Sequence, residues 1–304
     1  MRVAVVDLGT NSTRLLVADV RDGRVEELTR RTTVTRLGEG VDASGRLADE
    51  AMERVFAAVA EYRAAIDELG AERTVAVATS AARDSANGDE FRAALLDRYA
   101  IDARTISGDE EARLTFLGAT AAREPGARSV VIDIGGGSTE FVVGRAGEPP
   151  AFHVSTQAGS VRQTERHLPS DPPPPDELAP LREEVRGIVE AGVPADMRAS
   201  VEAGLAVAGT ATQLAAIDQR LDPYDPDRVD GYALTLAACE RMLGELAALP
   251  LAERREVPGL HPDRAPTIVA GAAILVEAMS AFELEAVEVS EADILHGAAL
   301  SAAE

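Results

Sequence analysis

The sequence contains no lysine and no tryptophan, and the missing lysine excludes several kinds of chemistry. Because all 30 basic residues are arginines, the chain cannot form a Walker-type P-loop, which requires a lysine. Schiff-base catalysis and lysine general bases are excluded for the same reason. Aromatic residues make up only 3% of the chain, so its cores must be built from alanine, valine, leucine and isoleucine.

Cysteine and long apolar runs are also scarce. Cys239 is the only cysteine, which excludes a disulfide framework and a cysteine-based zinc site. No run of about 18 uncharged apolar residues occurs, so no membrane helix is expected. The apolar N-terminal run ends at Asp7 and does not resemble a signal peptide. We therefore expect a cytoplasmic protein.

The chain is strongly acidic, with 52 acidic residues and a formal net charge of −22. This charge disfavours sequence-independent binding of nucleic acid, which depends on neutralising phosphates. It leaves room for a local, arginine-lined pocket that binds a small or linear polyanion. At 304 residues, the chain is long enough for two domains of about 150 residues each.

An internal repeat supports two domains. The segments VVDLGTNSTRLLV (residues 5–17) and VIDIGGGSTEFVV (residues 131–143) align without a gap and are identical at six of thirteen positions. Each predicts two strands joined by a turn, and strands alternate with helices after each copy. We place the domains at residues 1–120 and 121–291, with a C-terminal helix in residues 292–304 that could complete the first.

The two turns have a composition typical of anion-binding sites. We call residues 9–12 the first turn and residues 135–138 the second turn. Glycine permits positive φ angles and a close approach of the backbone to a ligand. Successive N–H groups in such turns can form a concave anion-binding nest, and serine and threonine hydroxyls add donors. The pattern predicts phosphate binding at both turns.

Carboxylates end the strand before each turn. Asp7 and Asp133 could hold a divalent cation with substrate phosphates, orient water, or simply cap the turns. At the tenth position of the repeat the copies differ, with Arg14 in the first and Glu140 in the second. Arginine suits a phosphate and glutamate suits a metal ion, so the two copies are expected to have different roles.

Two further segments are candidates with strong structural alternatives. In SGDEEA (residues 107–112), Glu110 and Glu111 lie in the first turn of a predicted helix, where acids also complement the helix dipole. Arg83 follows a predicted strand, at the sheet edge where α/β folds bind ligands, but it could equally be a surface arginine.

Seven segments, in order and over nearly the whole chain, resemble the exopolyphosphatase / guanosine pentaphosphate phosphohydrolase family. The resemblance implies an α/β fold with two ribonuclease-H-like domains around an interdomain cleft, as in the actin/hexokinase/heat-shock-ATPase superfamily. The matching segments are VVDLGTNSTRLLV (5–17), TRLGEGVD (35–42), ATSAARD (78–84), SGDEEA (107–112), DIGGGSTE (133–140), AGTAT (208–212) and RAPTIVAGAAIL (264–275).

The resemblance also implies roles for residues. Glu111 matches the catalytic base, and Asp133 and Glu140 match the ligands of a divalent cation, Mg²⁺ or another, with Asp7 as a further candidate. Arg83 matches a phosphate-contacting arginine. The remaining implied phosphate- or nucleotide-side residues are Thr10, Asn11, Ser12, Gly135, Gly136, Gly137, Ser138, Gly209 and Thr210.

The activity implied is metal-dependent release of orthophosphate from the end of inorganic polyphosphate. Alternatives are removal of the 5′ phosphate from guanosine pentaphosphate, a non-catalytic polyphosphate or alarmone sensor, and a kinase of the same superfamily. Long members continue into a helical region resembling an HD phosphohydrolase, so we expect a short form without it. Nucleic acid and membranes are not expected partners, and a homodimer is left open.

Overall fold

The computed structural model describes residues 1–303, which divide into two compact units. The first unit contains Met1–Arg123 together with the chain from Ala292 onward, and the second contains Glu124–Glu291. Each unit is built on one β-sheet with helices. Within residues 1–303, every helix is too short or too polar to cross a bilayer.

The sheet of the first unit begins with a three-stranded meander. Its five strands are β1 (Arg2–Leu8), β2 (Ser12–Arg21), β3 (Arg24–Val34), β4 (Arg73–Ala78) and β5 (Ala103–Thr105). The order across the sheet is β3-β2-β1-β4-β5, and β1, β4 and β5 run parallel. Almost every residue of β1 is buried, as expected for a central strand with helices on both faces.

Helices cover both faces of this sheet. The core on one face includes Tyr62 and Phe91, whereas the core on the other face includes Val5, Ile106 and Leu295. The helices of this unit are α1 (Val41–Ser44), α2 (Asp49–Leu69), α3 (Ser80–Arg83), α4 (Gly88–Tyr99), α5 (Gly108–Thr120) and the C-terminal α14 (Ile294–Ala303).

The sheet of the second unit repeats this topology. Its strands are β6 (Ser129–Ile134), β7 (Thr139–Gly144), β8 (Phe152–Thr156), β9 (Ala203–Val207), β10 (Ala233–Thr235) and β11 (Ala286–Val289). The order β8-β7-β6-β9-β11 matches β3-β2-β1-β4-β5 in strand sequence and direction, and β10 adds an antiparallel edge. The predicted α/β fold with two related sheets is confirmed.

The core of the second unit is built around one mostly apolar helix, α13, in which 12 of the 14 residues are buried. The helices are α6 (Ser160–His167), α7 (Pro175–Gly192), α8 (Ala195–Ala199), α9 (Ala208–Asp218), α10 (Pro226–Val229), α11 (Leu236–Ala248), α12 (Leu251–Arg254) and α13 (Ile268–Ala281), with a 3₁₀ turn at Pro262–Arg264.

The structure differs from the sequence-based prediction mainly in this unit. The helix predicted from Asp263 begins only at Ile268, because residues 262–264 form a separate 3₁₀ turn before it. The sequence predicts neither α6, whose residues are mostly polar, nor α9, whose Gly209-Thr210 start is typical of a loop.

Two glycines allow α14 to pack closely against α5 in the first unit. A Cβ atom on Gly118 would lie 1.9 Å from the carbonyl oxygen of Asp293, and one on Gly297 would lie 1.8 Å from that of Leu114. Neither glycine has a positive φ angle, so glycine is required only because there is no room for a side chain between the two helices. Helix α14 is therefore part of the first unit's core.

We predict that Gly118→Ala or Gly297→Ala destabilises the protein by about 1–3 kcal/mol, because the added methyl group forces the two helices apart. The matched control is Gly244→Ala in α11, where a Cβ would meet nothing within 4 Å. The control should stabilise the protein by about 0.4–1 kcal/mol. Urea unfolding measures both, and equal effects at the two kinds of site would contradict this packing.

Candidate functional site

The two turns have the same backbone structure. The N–H of Gly9 donates to the carbonyl of Ser12 at 3.0 Å, and the N–H of Gly135 donates to that of Ser138 at 3.0 Å. The strand registers also agree, since Asp7 lies opposite Arg14 and Asp133 lies opposite Glu140. Residues that align in the sequence repeat therefore occupy equivalent positions in the two hairpins.

The expected use of positive φ angles in the turns is wrong. None of the glycines at positions 9, 135, 136 and 137 has a positive φ. Space explains two of them instead, because a Cβ on Gly9 would lie 2.8 Å from the oxygen of Ser12, and one on Gly135 would lie 3.2 Å from that of Ser138. The tight closure of the first turn therefore requires glycine at position 9, and the second turn leaves little room for a side chain at position 135.

The carbonyl groups of the first turn are held by a loop of the same unit. Thr10 O accepts from the N–H of Gly38 at 2.8 Å, and Asn11 O accepts from two amides of residues 35–36 at 3.0 and 2.9 Å. In a trans peptide the C=O and the following N–H point in opposite directions. The N–H groups of Asn11 and Ser12 therefore point away from the loop.

The carbonyl groups of the second turn are held by the start of α6. Gly135 O and Gly136 O accept from the first two amides of the helix at 2.9 and 2.8 Å. Gly137 O accepts from Nε of Arg162 at 2.9 Å. By the same geometry, the N–H groups of Gly136, Gly137 and Ser138 point away from α6. What this turn can offer a ligand is a row of N–H donors.

Two polar side-chain atoms beside the first turn are buried without a hydrogen-bond partner among residues 1–303. They are Oγ of Ser12 and Oδ1 of Asp7. Thr10, in contrast, uses its hydroxyl oxygen to accept from the N–H of Ala81 at 3.2 Å. An unsatisfied buried polar atom is costly, so these two atoms mark a place where a ligand would restore lost interactions.

Arg14 binds carboxylates of its own unit. Its Nε and Nη2 donate to Oδ2 of Asp7 at 2.9 and 2.6 Å, and its Nη1 donates to Asp293, just before α14. These contacts bind Arg14 to carboxylates, and its expected role toward a phosphate stays a prediction. Sequence analysis missed Asp293, whose partner lies 279 residues earlier in the chain.

The two carboxylates bound to Arg14 have opposite pKa shifts. Burial raises the pKa of Asp7 above its usual value, and the attraction of Arg14 only partly opposes this effect. Burial would also raise the pKa of Asp293, but Arg14, Arg30 and His296 together lower it below its usual value. Of the two carboxylates, Asp7 is therefore the one whose burial is less fully compensated.

Glu111 and Arg83, two predicted site residues, are brought together in the first unit. Glu111 is buried in the first turn of α5, and its Oε2 accepts from Nη1 of Arg83 at 3.0 Å. The same nitrogen donates to the carbonyl of Ile106 at 3.1 Å. Glu110 is partly exposed and pairs with Arg104 at 2.5 Å. The two neighbouring glutamates thus have different surroundings.

Asp133 and Glu140 face each other across β6 and β7, and both are buried. Like charges directly opposite each other in a sheet are destabilising, and burial strengthens their repulsion. Oε1 of Glu140 accepts from the hydroxyl of Ser155 on β8 at 2.6 Å. Sequence analysis missed Ser155, because only the strand pairing places it beside Glu140.

The candidate metal ligands form a pair in the second unit and a single residue, Asp7, in the first. Within residues 1–303, no group of three or more His, Cys, Asp or Glu side chains is arranged to hold a metal ion. The pair supplies only oxygen donors. Such a set suits Mg²⁺, which is commonly bound by one or two carboxylates with water and substrate phosphates.

Gly209 and Thr210 lie in the first turn of α9. A Cβ on Gly209 would lie 1.8 Å from Nη1 of Arg264, so the guanidinium group rests directly on this glycine. Thr210 is buried against Gly271 of α13. The preceding Ala208 has a φ of 63°, which is strained for a residue other than glycine. Arg264 is a further residue that sequence analysis did not single out.

Comparison with known proteins agrees with this architecture. The model of the Ppx/GppA phosphatase family matches residues 16–304. The chain is 39% identical to Exopolyphosphatase 2 of Mycobacterium tuberculosis, covering 99% of this chain and 98% of that protein. The solved structure of an exopolyphosphatase-like protein has a TM-score of 0.92 at 33% identity, covering 99% and 98%.

The crystal structure of the Aquifex aeolicus member of the Ppx/GppA family has a TM-score of 0.83 at 30% identity, covering 100% of this chain and 97% of that chain. Both solved structures share the fold of this chain over nearly its whole length. This chain belongs to the Ppx/GppA phosphatase family.

Proposed function

We propose that this protein is an exopolyphosphatase that hydrolyses the terminal phosphoanhydride bond of inorganic polyphosphate and releases orthophosphate. The observation that carries the proposal is the pair of turns whose carbonyl groups are held inside their own units, leaving their N–H groups for an anion. The likeness to a full-length relative named Exopolyphosphatase 2 supports polyphosphate as that anion.

The turns would bind phosphoryl oxygens without any lysine. Backbone N–H groups already fixed in direction stabilise negative charge at little cost in reorganisation. In the first turn these are the amides of Asn11 and Ser12 with the hydroxyl of Ser12, which is buried without a partner in the described part of the chain. In the second turn they are the amides of Gly136, Gly137 and Ser138. This arrangement allows a protein of net charge −22 to bind a polyanion locally.

Glu111 would act as the general base. Arg83 donates to one of its carboxylate oxygens and holds the side chain in place, and the carboxylate would accept the proton. The oxygen of a water molecule would form a bond to the terminal phosphorus, and its proton would pass to Glu111. The bridging P–O bond would break, and the electron pair would leave with the shortened chain. Such transfer depends mainly on positioning and electrostatic stabilisation.

Asp133 and Glu140 would hold a divalent cation, with Asp7 as a further carboxylate for the first unit. The pair in the second unit fits the ion, because its two buried carboxylates face each other and supply only oxygen donors. A bound cation supplies positive charge that neutralises phosphoryl oxygens and polarises phosphorus. Ser155 would hold Glu140 in place.

Two alternatives remain open to experiment. Removal of the 5′ phosphate from guanosine pentaphosphate would use the same groups on phosphorus. A non-catalytic sensor would have no need for a buried Glu111 held by an arginine, so the Glu111–Arg83 pair favours an enzyme.

Phosphate release from short polyphosphate, long polyphosphate and guanosine pentaphosphate, measured side by side with Mg²⁺, tests the proposal. We expect polyphosphate to give the highest kcat/KM, with orthophosphate as the first product. A preference for guanosine pentaphosphate would select the first alternative. Binding without release from all three substrates would select the sensor.

For Glu111→Gln we predict a fall in kcat of about 10²–10⁴-fold with little change in polyphosphate affinity, because the shape is kept and the base is lost. The matched control is Glu110→Gln, which removes a partly exposed ion pair with Arg104. The control should cost at most about 1 kcal/mol of stability and little rate. A comparable loss of turnover in both variants would mean that the base lies elsewhere.

For Glu140→Gln we predict two effects of opposite sign. The Mg²⁺ concentration for half-maximal activity should rise about tenfold or more, because a ligand charge is lost. In chelator, the unfolding temperature should rise, because repulsion with Asp133 is removed. Ser155→Ala keeps both carboxylates, so it should raise the required Mg²⁺ concentration less than Glu140→Gln does. Its unfolding temperature in chelator should be lower than that of Glu140→Gln. Full activity in excess chelator would refute the metal site.

A further inference from the structure

Helix α6 meets the second turn through an unusually complete set of hydrogen bonds. We infer that Arg162 is a positioning residue for phosphate binding, which acts through the peptide between Gly137 and Ser138. Its guanidinium group fixes and polarises that peptide, so that the N–H of Ser138 becomes a better donor. The inference rests on the proposed function, because it assigns how this turn is prepared for a phosphoryl group.

Every carbonyl of the three glycines in the turn is bound by α6. Gly135 O accepts from both the amide and the hydroxyl of Ser160, at 2.9 and 3.2 Å. Gly136 O accepts from the amides of residues 161 and 162 at 2.8 and 3.2 Å. Gly137 O accepts from Nε of Arg162 at 2.9 Å. Among the described contacts, the carbonyl of Gly137 is the one that accepts from a charged side chain, the guanidinium group of Arg162.

There is no room for the helix to shift toward the turn. A Cβ atom on Gly159, the residue just before α6, would lie 2.2 Å from the carbonyl carbon of Gly137 and 2.3 Å from the oxygen of Gly136. The turn and the start of the helix are therefore in direct backbone contact. A change in the position of the start of α6 must therefore move the turn.

The other end of α6 is fixed to α7. Glu184 of α7 accepts from Nε2 of Gln163 at 3.3 Å and from Nη1 of Arg166 at 3.1 Å, and it pairs with Nε2 of His167 at 2.7 Å. An isolated helix of eight mostly polar residues is marginal in water, so these contacts and the turn hold it in place. Arg162 thus has a rigid support.

The chemistry follows from the polarity of the peptide group. The amides at a helix N-terminus commonly bind anions directly. Here they bind carbonyl oxygens, so their charge reaches an anion only through the peptide units of the turn. Hydrogen bonds in such chains polarise one another, and a charged donor is about twice as strong as a neutral one. Arg162 therefore contributes most to the N–H of Ser138.

The test is pyrophosphate binding, measured by titration calorimetry with Mg²⁺ in the Glu111→Gln background, which slows turnover. Arg162→Gln should weaken binding about tenfold, because the charged donor is lost. Arg162→Lys, which keeps the charge without the same fork of donors, should recover part of the affinity. In otherwise unmodified enzyme, Arg162→Gln should change the KM and kcat for polyphosphate without lowering the unfolding temperature in proportion.

The matched control is Arg166→Gln, which removes the same charge from the same helix while Gln163 and His167 still hold Glu184. We expect its pyrophosphate affinity to equal that of the Glu111→Gln reference. Equal affinity in Arg162→Gln would overturn the inference, and so would an equal loss in Arg166→Gln. A reference protein that binds no pyrophosphate would instead count against the proposed function of the turn.

Discussion

The direction of the peptide groups in the two turns is the constraint on which the rest of the site depends. A peptide plane is rigid, so a carbonyl held on one side sends the neighbouring N–H to the other. The loop at residues 35–38 holds the carbonyls of the first turn, and α6 holds those of the second. Anion binding then requires no basic side chain in either turn.

The same hairpin supports two different kinds of chemistry. Asp7 and Asp133 occupy equivalent positions, but the cross-strand partner is Arg14 in the first unit and Glu140 in the second. The first pair balances charge, and Asp293 draws Arg14 to one oxygen of Asp7 only. The second pair concentrates negative charge, which favours a cation. The two units thus share a hairpin backbone that carries unlike pairs of side chains.

Local patterns in the sequence predict much of this fold. The apolar, β-branched runs of β1 and β6 predict buried strands, and the repeat predicts two related sheets. The pairing of Arg83 with Glu111 is consistent with two motifs that the resemblance assigns to one site. The partners of the turns are not predictable from spacing, because they come from distant segments: α6, residues 35–38 and, for Arg14, Asp293. The glycines were expected to supply positive φ angles, whereas close packing explains those that begin each turn.

The most direct test of the central claim is the chemical shift of the turn amides in ¹⁵N-labelled protein during a titration with pyrophosphate and Mg²⁺. The account predicts large downfield proton shifts for Asn11, Ser12, Gly136, Gly137 and Ser138, and slower hydrogen exchange at the same sites. The amides of residues 35, 36, 38 and 160–162, which already donate to the turns, should change little. Shifts confined to arginine side chains, with unchanged turn amides, would contradict it.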